Sequence, residues 1–187
     1  KSCRMLSAAT FGKPRISSVG NRSGTLSKPV RRASTRFCAA DNEAIVWDNV
    51  RITYGELDKL SNRVANALTE MGIGHGDKVA LNCINIPYFP VVYYGIMKAG
   101  AAVVPLCVLF KAAEIEYHLR DSDAKAVFVF EGTPELPMLI STKAAFDAVD
   151  SCEHLIIMTA DMIAPSPIEE HKTLTQITFD KSEEFEI

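Results

Sequence analysis

The residues able to do chemistry are few, and they are scattered. Histidines stand at positions 75, 118, 154 and 171, and cysteines at 3, 38, 83, 107 and 152. Cys152 and His154 are two apart and His171 lies downstream, all three being metal-ligand types. No C-x-x-C pair accompanies them, so a closed tetrahedral set is not spelled out, and a loop–strand junction accounts for them. His75 sits among glycines and reads as a solvated turn residue. His118 falls inside a helical run, where a partly buried, hydrogen-bonded imidazole is commoner than a general base. Glu114, Glu116, Asp121 and Asp123 read as a solvated helix face and its end. Tyr88, Phe89, Tyr93 and Tyr94 read as core or as a subdomain contact rather than a stacking platform. The chain contains no G-x-S-x-G elbow, H-E-x-x-H pair, Walker loop or calcium loop.

Gly72-Ile73-Gly74-His75-Gly76-Asp77 resembles a dinucleotide fingerprint only in its spacing. A phosphate-binding glycine loop follows a strand and opens a helix, so that helix N–H groups face the phosphate. Here the glycines follow a helical run and precede an apolar strand. The segment reads as a helix-to-strand turn.

The elements around these residues alternate regularly. Glu43–Trp47 and Val50–Thr53 read as a hairpin joined by Asp48-Asn49, residues that tolerate the positive φ of a tight turn. Thr53-Tyr54-Gly55-Glu56 has the capping-box form. Leu57, Leu60, Val64, Ala67, Leu68 and Met71 then recur at helical spacing, and Gly72 suits the C′ position. Strands are expected at 78–84, 101–106, 125–130 and 154–159. Helices are expected at 87–99, 111–121 and 138–149, with Ile115 and Leu119 turned inward. Residues 30–37 read as a short helix, and beyond Ala160 the pattern dissolves. Strands separated by helices of this length predict βαβ units and a parallel sheet.

Composition narrows the function. The net charge is −3, but residues 1–40 carry nine Lys or Arg and no acid, which leaves residues 41–187 at −12. An acidic body argues against nucleic acid as the main partner. The odd number and irregular spacing of the cysteines argue against a disulfide framework and for a reducing compartment. Cys83 and Cys107 lie in apolar runs and read as small core hydrophobes. The weakly charged stretch 79–110 is broken by Pro87, Pro90 and Pro105, so it reads as strand–helix–strand rather than a membrane span. Residues 1–27 have the composition of a transit peptide, of a flexible tail, or of an upstream region translated out of frame.

Several blocks taken in order say more than any single residue. They are Thr53-Tyr54-Gly55-Glu56-Leu57, Gly76-Asp77-Lys78-Val79, Lys98-Ala99-Gly100-Ala101 with Pro105-Leu106, and Leu119-Arg120-Asp121-Ser122 with Ala124-Lys125. Over roughly residues 40–160 the chain resembles the N-terminal part of the adenylate-forming acyl-CoA synthetase superfamily. That group includes fatty-acid–CoA ligases, luciferases and peptide-synthetase adenylation domains. The wording is most similar to medium- and long-chain fatty-acid–CoA ligases.

The resemblance implies an α/β fold: a partial doubly wound, mostly parallel sheet with flanking helices. It divides the chain into a basic leader, 1–27, and the N-terminal part of a synthetase domain, 28–187. It also implies a reaction in which a carboxylate attacks the α-phosphate of Mg·ATP and the thiol of coenzyme A displaces AMP from the acyl-AMP. ATP, Mg2+ and coenzyme A are thus implied for an intact enzyme. The family's S/T-S-G-T-T-G-x-P-K-G loop does not occur here. The expectation is therefore a fragment inactive alone, with no catalytic, cofactor-binding or metal residue carried over. Cys107 to Phe110 replaces the family's Asn-containing turn, and Cys38-Ala39-Ala40 its Pro-Asp link. A truncated, non-catalytic binding or regulatory product is the alternative, and an unrelated nucleotide-binding domain a third. The expected partners are a carboxylic acid, ATP and coenzyme A, with no nucleic acid and no transmembrane segment. The expected compartment is the cytoplasm, or a mitochondrion or plastid if residues 1–27 direct it there. An unpaired sheet edge and an exposed apolar face are further expectations, and with them poor solubility.

Overall fold

A computed structural model describes residues 40–186. The short helix expected at 30–37 and the leader lie outside the described residues. The chain opens with a hairpin, β1 (Glu43–Trp47) and β2 (Val50–Thr53). Trp47 faces Val50 across the two-residue turn, and Asp48 takes φ +48° there. Then come α1 (Tyr54–Glu70), β3 (Lys78–Asn82), α2 (Tyr88–Lys98), β4 (Ala102–Pro105), α3 (Ala112–Ser122) and β5 (Ala124–Phe130). The series closes with α4 (Met138–Phe146), β6 (His154–Met158) and a short α5 (Leu174–Thr178).

The four later strands form one parallel sheet in the order β4-β3-β5-β6. The connection from β3 runs outward to β4, whereas the chain returns past β3 to β5 and continues to β6. Right-handed crossovers in opposite directions put their helices on opposite faces of the sheet. Accordingly α1 packs on α2, and α3 packs on α4. β5 lies inside the sheet, and all its residues but Lys125 are buried. That burial on both faces explains the unbroken run Ala126-Val127-Phe128-Val129-Phe130. The same core holds Leu68, Leu81, Ile96, Ile115, Leu119 and Ile156.

Local chemistry sets the element ends. The Thr53 hydroxyl accepts the Glu56 N–H at 3.2 Å, and the Glu56 carboxylate accepts the Thr53 N–H at 2.8 Å. Those bonds hold the Glu56 carboxyl below its usual range. Gly72 takes φ +76° after α1 and Gly100 φ +84° after α2, conformations that cost glycine little.

Two expectations need correction. Cys107 is exposed, because β4 ends at Pro105 and the residue falls in the following turn. The region after Ala160 does hold structure: α5, whose Thr173–Gln176 capping box went unread.

Candidate functional site

In a doubly wound sheet the ligand crevice opens at the carboxyl ends of strands whose connections diverge. Here that point lies between β3 and β5. A cavity of about 520 Å3 sits at this place. Ile84, Ile86 and Pro87 line it after β3, and Phe130 and Thr133 line it at the end of β5. Ala160 and Met162 close it beyond β6. Leu60, Arg63 and Val64 of α1, Tyr88 and Val91 of α2, and Thr175, Thr178 and Phe179 at α5 complete the walls. The hairpin contributes Trp47, Val50 and Ile52.

The mouth is unusually apolar. Trp47 is 47% exposed and Phe179 is 82% exposed, with Met162 and Val50 also open to water. Deeper in, the Tyr88 hydroxyl donates to the Thr159 carbonyl at 3.1 Å, tying the start of α2 to the end of β6. Burial, with Asp161 and Glu131 nearby, pushes the Tyr88 phenol up. The Glu131 carboxylate itself accepts the Ala160 N–H at 2.6 Å.

Among the described residues, Arg63 is the only charged one of the lining. Its Nη2 donates to Glu183 Oε1 at 2.7 Å, and Lys59 reaches the other oxygen of Glu183 at 3.2 Å. These two cations hold the Glu183 carboxyl below its usual range, Lys59 contributing most. The Arg63 Nε is sheltered from water and has no hydrogen-bond partner. Asn62 Nδ2 donates to the Glu183 carbonyl at 2.7 Å. Asn66 Nδ2 donates to the carbonyls of Ser182 and Glu184, each at 3.0 Å. Glu70 accepts from Lys181 at 3.0 Å. One polar stripe of α1 thus lashes down the strap 181–184.

The residues singled out by sequence are not brought together. Cys152 is buried at the strand junction, and burial pushes its thiol up to about 12. Cys83 is pushed up to about 12 in the same way, so neither thiol is a ready nucleophile. His118 stacks on Phe110, ring centroids 5.0 Å apart. His171 packs edge-on against Phe146, and burial lowers its imidazole pKa, with Lys143 adding to the effect. Asp77, in the glycine turn, accepts from the Gly74 N–H at 2.9 Å and pairs with Lys125 at 2.8 Å, and its carboxyl is held low. Glu114 accepts the Lys111 N–H at 2.9 Å, Glu116 pairs with Arg120, and Asp123 takes φ +50° at the end of α3. These are structural duties.

Sequence reasoning missed three arrangements. Lys98 Nζ sits in a knot of Asp58, Ser61 and Asn62 oxygens between α2 and α1. Asn82, buried at the end of β3, donates to Thr142 Oγ1 at 2.9 Å while its own Oδ1 has no partner. The strap on α1 is the third.

A nucleotide phosphate or a Mg2+ ion finds no fitting donor set here. Among the described residues, no group of three or more His, Cys, Asp or Glu is placed to hold a metal. The positive-φ Gly132, after β5, is packed against the Leu136 carbonyl and the Met138 N–H of its own turn, leaving no room for a phosphate. No described helix is long and apolar enough to cross a membrane.

The chain is similar to several acid–CoA ligases and to synthases of other kinds. It is 38% identical over 99 residues to the long-chain-fatty-acid–CoA ligase FadD13 of Mycobacterium tuberculosis, covering 53% of this chain and 19% of that protein. It is 36% identical over 90 residues to the 3-hydroxybenzoate–CoA ligase of an Aromatoleum strain, covering 48% of this chain and 17% of the ligase. The chain thus spans about a fifth of the length of the relatives it matches. The fold is shared with the anthranilate CoA ligase AuaEII, solved with anthranoyl-AMP, at a TM-score of 0.67 and 24% identity. That superposition covers 79% of this chain and 27% of AuaEII. The profile of the AMP-binding enzymes matches residues 30–184, and with that match the chain belongs to the AMP-binding enzyme family.

Proposed function

We propose that this chain is the N-terminal part of an ATP-dependent acid–CoA ligase acting on a medium- or long-chain fatty acid. The observation that carries the reading is the 38% identity, over 99 residues, to a long-chain-fatty-acid–CoA ligase. In this reading the leader is 1–27 and the synthetase domain starts at residue 28. The protein takes ATP, Mg2+ and coenzyme A as a whole, and the groups that hold them lie outside the described residues. No residue of 40–186 is assigned a catalytic part. The protein works in the cytoplasm, or in an organelle if residues 1–27 target it.

The test has two stages. The transcript is sequenced beyond the codon for Ile187, and an open frame into a Gly/Ser/Thr-rich loop ending in Pro-Lys-Gly is expected. The continuous protein is then assayed for ATP–pyrophosphate exchange. Exchange dependent on decanoate or palmitate supports the reading, and exchange driven only by benzoates replaces the fatty acid with an aromatic one. A stop codon directly after Ile187 overturns the ligase reading in favour of a non-catalytic binding product.

A further inference from the structure

We propose that α5 and the strap, residues 174–184, form an ion-paired gate on the cavity, which swings away from α1 as one unit while the parallel sheet stays wound. The base of the gate is fixed. The Ile157 N–H donates to the Lys172 carbonyl at 3.0 Å, and Thr173 bridges to Ile157 in parallel register. Beyond Thr173, among the described residues, no backbone-to-backbone hydrogen bond joins 174–186 to another element. In α5 only Leu174 and Ile177 are buried. The strap is held by α1 side chains: the Asn62 and Asn66 amides, Lys59 and Arg63 on Glu183, and Glu70 on Lys181. Opening would carry Thr175, Thr178 and Phe179 off the cavity wall.

The closed position is nearly balanced. Lys59 and Glu183 are well exposed, and pairs of that kind contribute little each. Glu183 gives Arg63 one oxygen, at Nη2, because its other oxygen is turned to Lys59. Closed, the Arg63 Nε is out of water and unmet, a costly state for a charged donor. Open, water reaches it. Closure therefore gains screened ion pairs and gives up a hydrogen bond, which suits an element that opens well before the core does. The seat itself is preset. Lys98 Nζ donates to Asn62 Oδ1 at 2.7 Å, so the Asn62 Nδ2 faces the strap whether the gate is open or closed.

Salt separates this gate from global unfolding. Between about 0.01 M and about 1 M NaCl the screening length falls from roughly 30 to 3 Å. A five-residue helix has no stability of its own in water, so undocking melts α5 and frees the Ile177 and Phe179 amides, which donate to Thr173 and Thr175 when it is folded. Hydrogen exchange of the 187-residue chain is followed by mass spectrometry at both salt concentrations. Exchange over α5 and the strap is expected to rise about fivefold at high salt, the size of two exposed ion pairs, with β5 unchanged. Glu183→Gln keeps the carbonyl that Asn62 holds and removes both pairs. It is expected to exchange at low salt as fast as the unmodified chain does at high salt, with little further response. Exchange at α5 indifferent to salt, an equal response in β5, or a full response surviving in Glu183→Gln overturns the proposal. Should Glu183→Gln fail to fold, Lys59→Gln decides: with one pair removed the salt response is expected to shrink, and an undiminished response overturns the proposal.

Discussion

Lys98 Nζ lies 2.7 Å from Asn62 Oδ1, and that contact joins the last turn of α2 to the middle of α1. The same ammonium donates to Ser61 Oγ and Asp58 Oδ1, each at 2.7 Å, and its side chain is only 16% exposed. Removing the cation strands acceptors that water reaches poorly. We expect Lys98→Met to cost about 2 kcal/mol in urea unfolding. A cost below a few tenths would show that the knot contributes little.

α1 and α2 also meet where no side chain fits. A Cβ placed on Gly95 would lie 2.5 Å from Val64 Cβ, and Gly95 is buried. Gly95→Ala therefore has to push the helices apart, at roughly 1–3 kcal/mol despite alanine's better helix propensity. Adding Val64→Ala makes room, and calorimetry of the double variant should recover part of the loss. Additive losses would refute the steric account.

Asn82 and Thr142 form a buried polar pair between β3 and α4. Thr142→Val alone leaves the Asn82 amide without this partner and should cost about 1–3 kcal/mol. Replacing both, with Asn82→Leu and Thr142→Val, removes the stranded groups together. The double variant should be more stable than Thr142→Val alone, so a double-mutant cycle will show strong coupling.

His171 gives the fold a mild acid sensitivity. Its pKa is lowered from 6.5 by burial, and Lys143 adds to the lowering while Glu170 and Asp147 oppose it. The unfolded chain thus binds its proton at higher pH than the folded chain does. Stability is complete above about 6.5 and declines as pH falls from there toward the lower folded pKa. Thermal melts at pH 7.5 and 5.5 should differ, and His171→Gln should flatten that difference. The carboxylates held low, Glu56, Asp77 and Glu183, act in a separate window below about pH 4, where their protonation removes stability.

The short α5 depends on its cap. Thr173 accepts the Gln176 N–H at 3.2 Å, and the Gln176 side chain accepts the Thr173 N–H at 2.8 Å. Thr173→Ala should cost about 1 kcal/mol. Because α5 forms one wall of the cavity, the same substitution should red-shift Trp47 emission as that wall loosens.

What the sequence discloses and what it hides follow from the range of each interaction. The hairpin turn, the Thr53–Glu56 box and the helix-ending glycines are settled within a few residues, so residue types announce them. The parallel sheet was legible because alternation of apolar runs is also local. The α5 box was written in Thr173 and Gln176, but a five-residue helix shows no period to draw the eye. Asn62, Arg63 and Asn66 look like a solvated face, and only their partners some 120 residues on reveal the strap. The cavity was invisible for the same reason, since its walls come from segments that meet only after the sheet is wound.

The strap also sets a timetable. Asn62 and Arg63 leave the ribosome about 120 residues before Glu183 does. At roughly 5–20 residues per second, α1 waits on the order of ten seconds with its stripe hydrated while the four strands are laid down. A nascent chain stalled just short of residue 181 therefore holds a wound sheet under an unfastened first helix. In that interval a chaperone finds the apolar rim open, and the emergence of residues 181–184 is the event that fastens it.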